Sequence, residues 1–362
     1  LSDLDRINIV HVTGTKGKGS TCAYVDSILN SYRKSHKIPL NIGLFTSPHL
    51  ISVRERIKIN SISISPEKFT KYFFEVWDRL QQPLEKKCDT SFPKIPGYFR
   101  FLTLMSYHVF LQEGVDTAIY EVGIGGEYDS TNIVENPIVT GISKVGIDHT
   151  HILGEKITDI AWQKAGILKK DCPSYCIDQE PDVLTVVNNR AEERQVKYSK
   201  IVTTLPQLND VVISPNAEFQ KQNATLAIYL ADIALKKLAK DYDYTVSDSN
   251  PLPIEFVDGL EKVIWKGRCQ RIEEEKLIWY IDGAHNRDSI KVATAWLAKE
   301  LSSKIPNDKP KNGLRILLFN QQGHRDVMSV LEDLYRESEL NRIQFDHVIF
   351  CPTVPEEPET KK

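Results

Sequence analysis

Residues 11–21, HVTGTKGKGST, follow the apolar run at 7–10 and precede the helix-like stretch AYVDSILNSY. A strand, a glycine-rich turn and a helix start, in that order, read as a phosphate cradle of an α/β fold, the other reading being a glycine-rich turn with no ligand. Gly14, Gly17 and Gly19 let backbone N–H groups turn inward, and the helix adds the positive end of its dipole. Lys18 adds a point charge for the outer phosphates. The loop departs from the common G-x-x-x-x-G-K-[ST] spacing, because Val12 stands where the first glycine would be and Gly19 separates Lys18 from Ser20.

At 362 residues the chain is long enough for two domains, each with its own core. A net charge of -3 argues against a strongly basic nucleic-acid binder and leaves a small-molecule partner. The six cysteines, Cys22, Cys88, Cys172, Cys176, Cys269 and Cys351, lack metal-type pairing, and Cys172 and Cys176 are one residue too far apart for C-x-x-C. Reduced thiols inside a cell are expected. No run reaches transmembrane length, and the residues after Leu1 are polar and do not read as a signal peptide. The first residue is Leu, and the last stretch breaks off just after a strand-like run, so both ends are expected to be trimmed.

The stretch 39–45 reads as a buried parallel strand ending at Thr46-Ser47-Pro48-His49. Ser65-Pro66-Glu67 opens a predicted helix through Trp77, and the proline-rich 82–97 reads as a loop. Residues 98–111 carry a helical pattern, 117–122 and 138–143 read as strands, and 155–168, 181–195 and 216–240 as helices. Past the loop at 251–253 the pattern restarts, with strands at 277–281, 316–319 and 347–350 and helices at 288–301 and 327–335. This alternation predicts parallel α/β sheets in both halves: an N-terminal P-loop-type domain over 1–265 and a smaller Rossmann-like domain over 266–362.

Glu121 sits where TAIYEV runs off a strand, the edge where open α/β sheets gather ligands. It reads as a Mg²⁺ ligand helped by a hydroxyl such as Ser47 or Ser20, or as a solvated strand end. Gly123, Gly125 and Gly126 lead into no helix, which removes a nicotinamide reading. His149, in DHTH, is a metal ligand, an acid/base group or a structural histidine. Lys164, on an otherwise apolar helix face, is either a site residue or a snorkelling surface lysine. The loop 282–286, DGAHN, packs three polar side chains at a strand end, and Arg268 and Arg325 offer bidentate forks for phosphate or carboxylate.

Nine blocks in one order, VTGTKGKGST, LFTSPHL with RERIKIN, YEVGIGGEYDSTN, GIDHTHILG, AWQKAGILK, FQKQNA, WKGR, IDGAHN and FNQQGHRD, resemble the folylpolyglutamate synthase family, relatives of the Mur ligases. The resemblance runs from about residue 8 to 326 and is strongest to fungal forms. It implies an ATP-dependent ligase that joins L-glutamate to the γ-carboxylate of a reduced folate through an acyl phosphate. By position it implies that Gly14, Thr15, Lys16, Gly17, Lys18, Gly19, Ser20 and Thr21 hold the phosphates, with Gln220 and Asn223 reading adenine. Ser47, Glu121 and His149 match magnesium ligands, Lys164 a lysine carried as a carbamate, and Arg268 a phosphate contact. Asp282 and His285 fall near the nucleotide and glutamate, so Lys18, Lys164, Asp282 and His285 form the expected catalytic set. ATP, Mg²⁺ and a monovalent cation such as K⁺ are the implied cofactors, in a monomer of cytosol or mitochondrion.

Three alternatives remain. A dihydrofolate synthase of the same family would add the first glutamate to dihydropteroate. A GTP-driven switch needs an Asn/Thr-Lys-x-Asp reader, and the nearest string, Ser143-Lys144-Val145-Gly146, lacks the Asp. A non-catalytic nucleotide-binding module would not need Lys18, Glu121 and His149 together.

Overall fold

The apolar run ahead of the glycine loop is buried along its whole length as strand β1 (Ile9–Thr13), and α1 (Lys18–His36) leaves the loop at Gly17, which sits in the left-handed region at φ 88°. The computed structural model describes residues 2–82, 95–213, 218–285, 287–303, 313–321 and 327–351. They fall into two compact units, Leu1–Ile264 and Trp265–Lys362.

In the first unit the chain continues through β2 (Ile42–Phe45), β3 (Ile57–Ile59), β4 (Ile62–Ser63), α2 (Pro66–Gln81) and α3 (Tyr98–Gln112). It then forms β5 (Thr117–Glu121), β6 (Val139–Ile142), α4 (Thr150–Leu153), α5 (Ile157–Ala165), β7 (Pro173–Ile177) and α6 (Pro181–Glu193). Strand β8 (Tyr198–Val202) and helices α7 (Glu218–Leu238) and α8 (Ile254–Glu261) complete it. The eight strands form one sheet in the order β4-β3-β2-β5-β1-β6-β7-β8. All pairings from β2 to β8 are parallel; β3 and β4 add an antiparallel edge.

Period-two alternation splits the core. Val10 and Val12 face the cluster built with α1, α7 and α8, while Ile9 faces the cluster built with α2 and α3. Ile142, beside Thr13, joins a third cluster against α5 and α6. Two helical layers therefore cover the sheet, and its parallel strands read as near-continuous apolar runs. The chain lays β2 and β5 on one side of β1 and β6 to β8 on the other, so the order reverses at β1. That reversal is where open α/β sheets leave a crevice at the strands' carboxyl ends.

The second unit holds β9 (Gln270–Glu273), β10 (Ile278–Ile281), α9 (Arg287–Ser303), β11 (Ile316–Phe319), α10 (Val327–Leu340) and β12 (His347–Phe350). Strands β11 and β12 pair in parallel, as expected for α/β alternation. Strands β9 and β10 are antiparallel, which corrects the all-parallel expectation for this half. Only residues 274–277 connect them, and a parallel crossover needs a dozen or more residues.

Strands β3, β4, β7, β8 and β9 extend the predicted set. Helix α2 runs four residues beyond Trp77, and most of the loop at 82–97 lies outside the described residues. Among those described, no helix is long and apolar enough to cross a membrane.

Candidate functional site

Four loops leave the carboxyl ends of β1, β2, β5 and β6, and these carry most of the residues singled out from the sequence. Gly14 has φ 147° and lies so close to Ser143 that a Cβ there would overlap the serine hydroxyl. Gly17 is packed the same way against the side-chain amide of Asn223. Both positions therefore require glycine for space as well as for backbone angle.

The loop is held from behind. The amides of Thr15 and Lys16 both donate to the carbonyl of Lys144, at 2.7 and 3.0 Å. The Thr15 hydroxyl donates to the Gly146 carbonyl at 3.0 Å and accepts the Gly146 amide at 2.9 Å. The Ser143 hydroxyl lies 3.1 Å from the Thr13 carbonyl and 2.9 Å from that of Lys16. Thr15 and Lys16 thus spend their amides on the β6 loop, which leaves the amides that open α1, at Lys18, Gly19 and Ser20, as the donors the helix start offers to an anion. A helix offers no acceptor to its first amides.

Two ammonium groups meet at one oxygen. Lys18 Nζ donates to the Gly14 carbonyl at 3.0 Å, and Lys164 Nζ donates to the same carbonyl at 2.7 Å. Lys164 is buried at 3% exposure, which replaces the snorkelling reading: its stem crosses the apolar face of α5 inward. Burial first, and the Lys18 charge second, lower its pKa from 10.5 to about 7, against the opposing pull of Asp148 and Asp129. The amine is thereby poised between neutral and charged near physiological pH.

Glu121 ends β5 and is buried at 5% exposure, which removes the solvated strand-end reading. Its Oε2 accepts the backbone amide of Ser47 at 2.9 Å, so the loops after β2 and β5 are tied together there. His149 opens α4 at φ 49°, an unfavourable angle for a non-glycine residue, with its amide donating to Asp148 Oδ1 at 2.9 Å. Among the described residues no three His, Cys, Asp or Glu side chains cluster as a metal site. The residues expected from the sequence to hold magnesium, Glu121, Ser47 and His149, would offer one carboxylate, one hydroxyl and one imidazole. The chemistry of that set fits a hard cation that keeps water ligands. The Thr21 hydroxyl, buried and without a hydrogen-bond partner in the structure, adds a further oxygen in the first turn of α1.

Gln220 and Asn223 are buried on α7, and the Asn223 amide nitrogen donates to Gln220 Oε1 at 3.1 Å. In the second unit, Asp282 Oδ2 accepts the amide of Cys269 at 2.7 Å, and Arg268 packs so closely on Gly283 that a Cβ there would overlap the guanidinium. His285 Nδ1 lies 2.7 Å from the Gly283 carbonyl. A carbonyl only accepts, so Nδ1 carries a proton and donates it. Arg268, Asp282 and His285 therefore share one loop cluster. Asn286 and Arg325 lie outside the described residues.

Asp129 escaped notice in the sequence. Its Oδ1 accepts the Thr131 hydroxyl at 2.6 Å, that hydroxyl oxygen lies 2.8 Å from His11 Nε2, and its Oδ2 accepts the Ile124 amide at 3.0 Å. With the hydroxyl proton committed to Asp129, His11 must donate from Nε2. Burial, aided by the Lys169 charge, lowers the His11 pKa to about 3 and keeps it neutral. The available signal was an acid inside the glycine-rich string GIGGEYD.

This chain is 52% identical over 355 residues to a folylpolyglutamate synthase of Neurospora crassa, covering 97% of this chain and 66% of that protein. The chain belongs to the folylpolyglutamate synthase family. The enzyme of that name from Saccharomyces cerevisiae is 47% identical, over 98% of this chain and 63% of its own length. The chain thus spans a little under two thirds of these curated relatives. No family model matches it. Among solved structures, the family's apo form from L. casei superposes with a TM-score of 0.73 at 27% identity, covering all of this chain and 83% of that one. An FPGS–AMPPCP complex gives 0.72 at 26%, covering 100% and 84%, and an FPGS–AMPPCP–folate complex gives 0.69 at 26%, covering 97% and 82%.

Proposed function

We propose that this protein is an ATP-dependent ligase that adds L-glutamate to the γ-carboxylate of a reduced folate. The observation that carries the reading is the convergence of Lys18 and Lys164 on the Gly14 carbonyl, in the glycine-rich loop that opens α1. Such an array favours a polyphosphate.

A carboxylate resists attack by an amine because it already carries negative charge. In the first step a γ-carboxylate oxygen attacks the terminal phosphorus of ATP, forming an acyl phosphate and releasing ADP. In the second the glutamate amine attacks the acyl carbon, and phosphate leaves with the bonding electrons. Lys18 follows the phosphoryl charge through the first step, and the α1 amides fix the phosphates that do not move. Magnesium, held by Ser47, Glu121 and His149, would supply charge neutralisation between the phosphates. Arg268, Asp282 and His285 are assigned to the nucleotide and the incoming glutamate, and Gln220 and Asn223 to adenine.

Lys164 suits carbamate formation, because only a neutral amine attacks CO₂ and its pKa is lowered to about 7. The ammonium first releases one proton, and the neutral nitrogen then bonds the CO₂ carbon and releases a second, so a cation becomes an anion. Labelling with ¹³C-bicarbonate should give a carbamate carbonyl resonance that Lys164→Met lacks.

The test of the function is incubation of the full-length protein with ATP, Mg²⁺, L-glutamate and tetrahydrofolate, followed by mass spectrometry of the folate. Stepwise lengthening of the glutamate tail is expected. Turnover of dihydropteroate alone would mark the dihydrofolate synthase reaction instead, and ATP binding without either product would mark a non-ligase nucleotide module.

A further inference from the structure

Gln179 stands one strand beyond the loop that backs the phosphate site. It follows β7 and is buried at 8% exposure. Its Oε1 accepts the Val145 amide at 2.6 Å, and its Nε2 donates to the Ser143 carbonyl and to the Cys176 sulfur, each at 3.2 Å. One side chain thus grips the backbone on both sides of Lys144. The carbonyl of Lys144, between those two grips, is the one that accepts the amides of Thr15 and Lys16.

We infer that Gln179 is a positioning residue for the nucleotide phosphates, acting through the Lys144 carbonyl. If the peptides of 143–145 rotate, that carbonyl swings, and Thr15 and Lys16 lose their common acceptor. The turn that leads into α1 then loses its backing, and with it the placement of the first amides of α1 and of Lys18, the donors an anion would meet. The side chain must offer one acceptor and one donor, uncharged, at the reach of two methylenes. Asparagine is one methylene short. Glutamate keeps the acceptor for Val145 but sets a carboxylate against the Ser143 carbonyl, and methionine fills the space with neither bond.

The inference rests on the proposed nucleotide site, and the test separates the two. Mg²⁺–AMPPCP is titrated calorimetrically into the full-length wild-type protein, Gln179→Met and Gln179→Glu, well below their melting temperatures. Amide hydrogen exchange over residues 14–17 is followed in parallel. A control, Tyr242→Phe, removes the hydroxyl that donates to Asp232 at 3.0 Å, within the cluster against α7. Both Gln179 variants are expected to bind the analogue about tenfold more weakly or worse, the range for hydrogen bonds that support a binding layer from behind. They should also exchange the Thr15 and Lys16 amides faster, while Tyr242→Phe leaves both readouts unchanged. Wild-type affinity in Gln179→Met, or the same loss in Tyr242→Phe, would overturn the positioning role while leaving the nucleotide site standing. Absence of binding by the wild type would overturn the nucleotide reading, and this inference with it.

Discussion

Lys18 and Lys164 reach the same carbonyl oxygen from two helices, and the two charges differ in environment. Lys18 lies in the first turn of α1, part-buried, whereas Lys164 is buried under α5. Removing Lys18 by Lys18→Ala should lower ligase turnover by roughly a hundredfold or more, the usual cost of losing a charge aimed at a transferring phosphoryl group. Steady-state rates at saturating ATP check this. Lys164 makes a prediction about pH. Its folded pKa of about 7 lies below the ordinary 10.5, so below pH 7 both folded and unfolded states carry the proton and the burial cost is felt in full. Between pH 7 and 10.5 the folded state has released that proton and the unfolded state has not, so stability rises with pH by at most about 1.4 kcal/mol per unit from this group. Urea midpoints measured in CO₂-free buffer at pH 6 and pH 9 should show that rise, and Lys164→Met should flatten it.

At the scale of elements, the junction between the β5 loop and α5 sets where Lys164 points. Gly126 lies against the last turn of α5, and a Cβ there would come within 2.7 Å of the Gln163 carbonyl and 2.8 Å of the Lys164 carbonyl. Gly126→Ala should therefore destabilise the protein by about 1–3 kcal/mol, the cost of overpacking a tight contact. It should also lower activity more than an equally destabilising change elsewhere; denaturant curves beside rate measurements check both. What the sequence disclosed at this scale was local. The glycine spacing of residues 14–19 and the strand-to-helix alternation are short-range signals, so the turn between β1 and α1 and the α/β class were legible. The β3–β4 hairpin was not, because its strands span three and two residues and its turn residues Asn60 and Ser61 both take positive φ. Only the asparagine hints at such a turn. Asp129 and Gln179 were hidden for another reason: their roles depend on groups brought close by the sheet order, such as His11, which reaches Asp129 through the Thr131 hydroxyl. The burial of Lys164 was likewise open until α5 had a partner surface.

Over the whole molecule, stability is expected to be uneven. In the first unit helices cover both faces of an eight-stranded sheet, and β1 is buried throughout. In the second unit β11 and β12 form a two-stranded sheet, and Val348, Ile349 and Phe350 are 48%, 46% and 61% exposed. Among the described residues these two strands pair only with each other, and a two-stranded sheet is marginal by itself, so in this 362-residue stretch amides of β11 and β12 should exchange with solvent orders of magnitude faster than those of β1, β5 and β6. Native-state hydrogen exchange resolves this strand by strand. Among the described residues the α/β architecture runs through both units, whereas the proposed site chemistry depends on a few atoms around Gly14.

The most direct test of the account is calorimetric titration of Mg²⁺–AMPPCP into the wild-type protein and into Lys18→Ala. The account predicts one saturable site in the wild type, weakened at least tenfold in the variant, and no competition from the matching guanine analogue. Equal affinity in wild type and Lys18→Ala would contradict it.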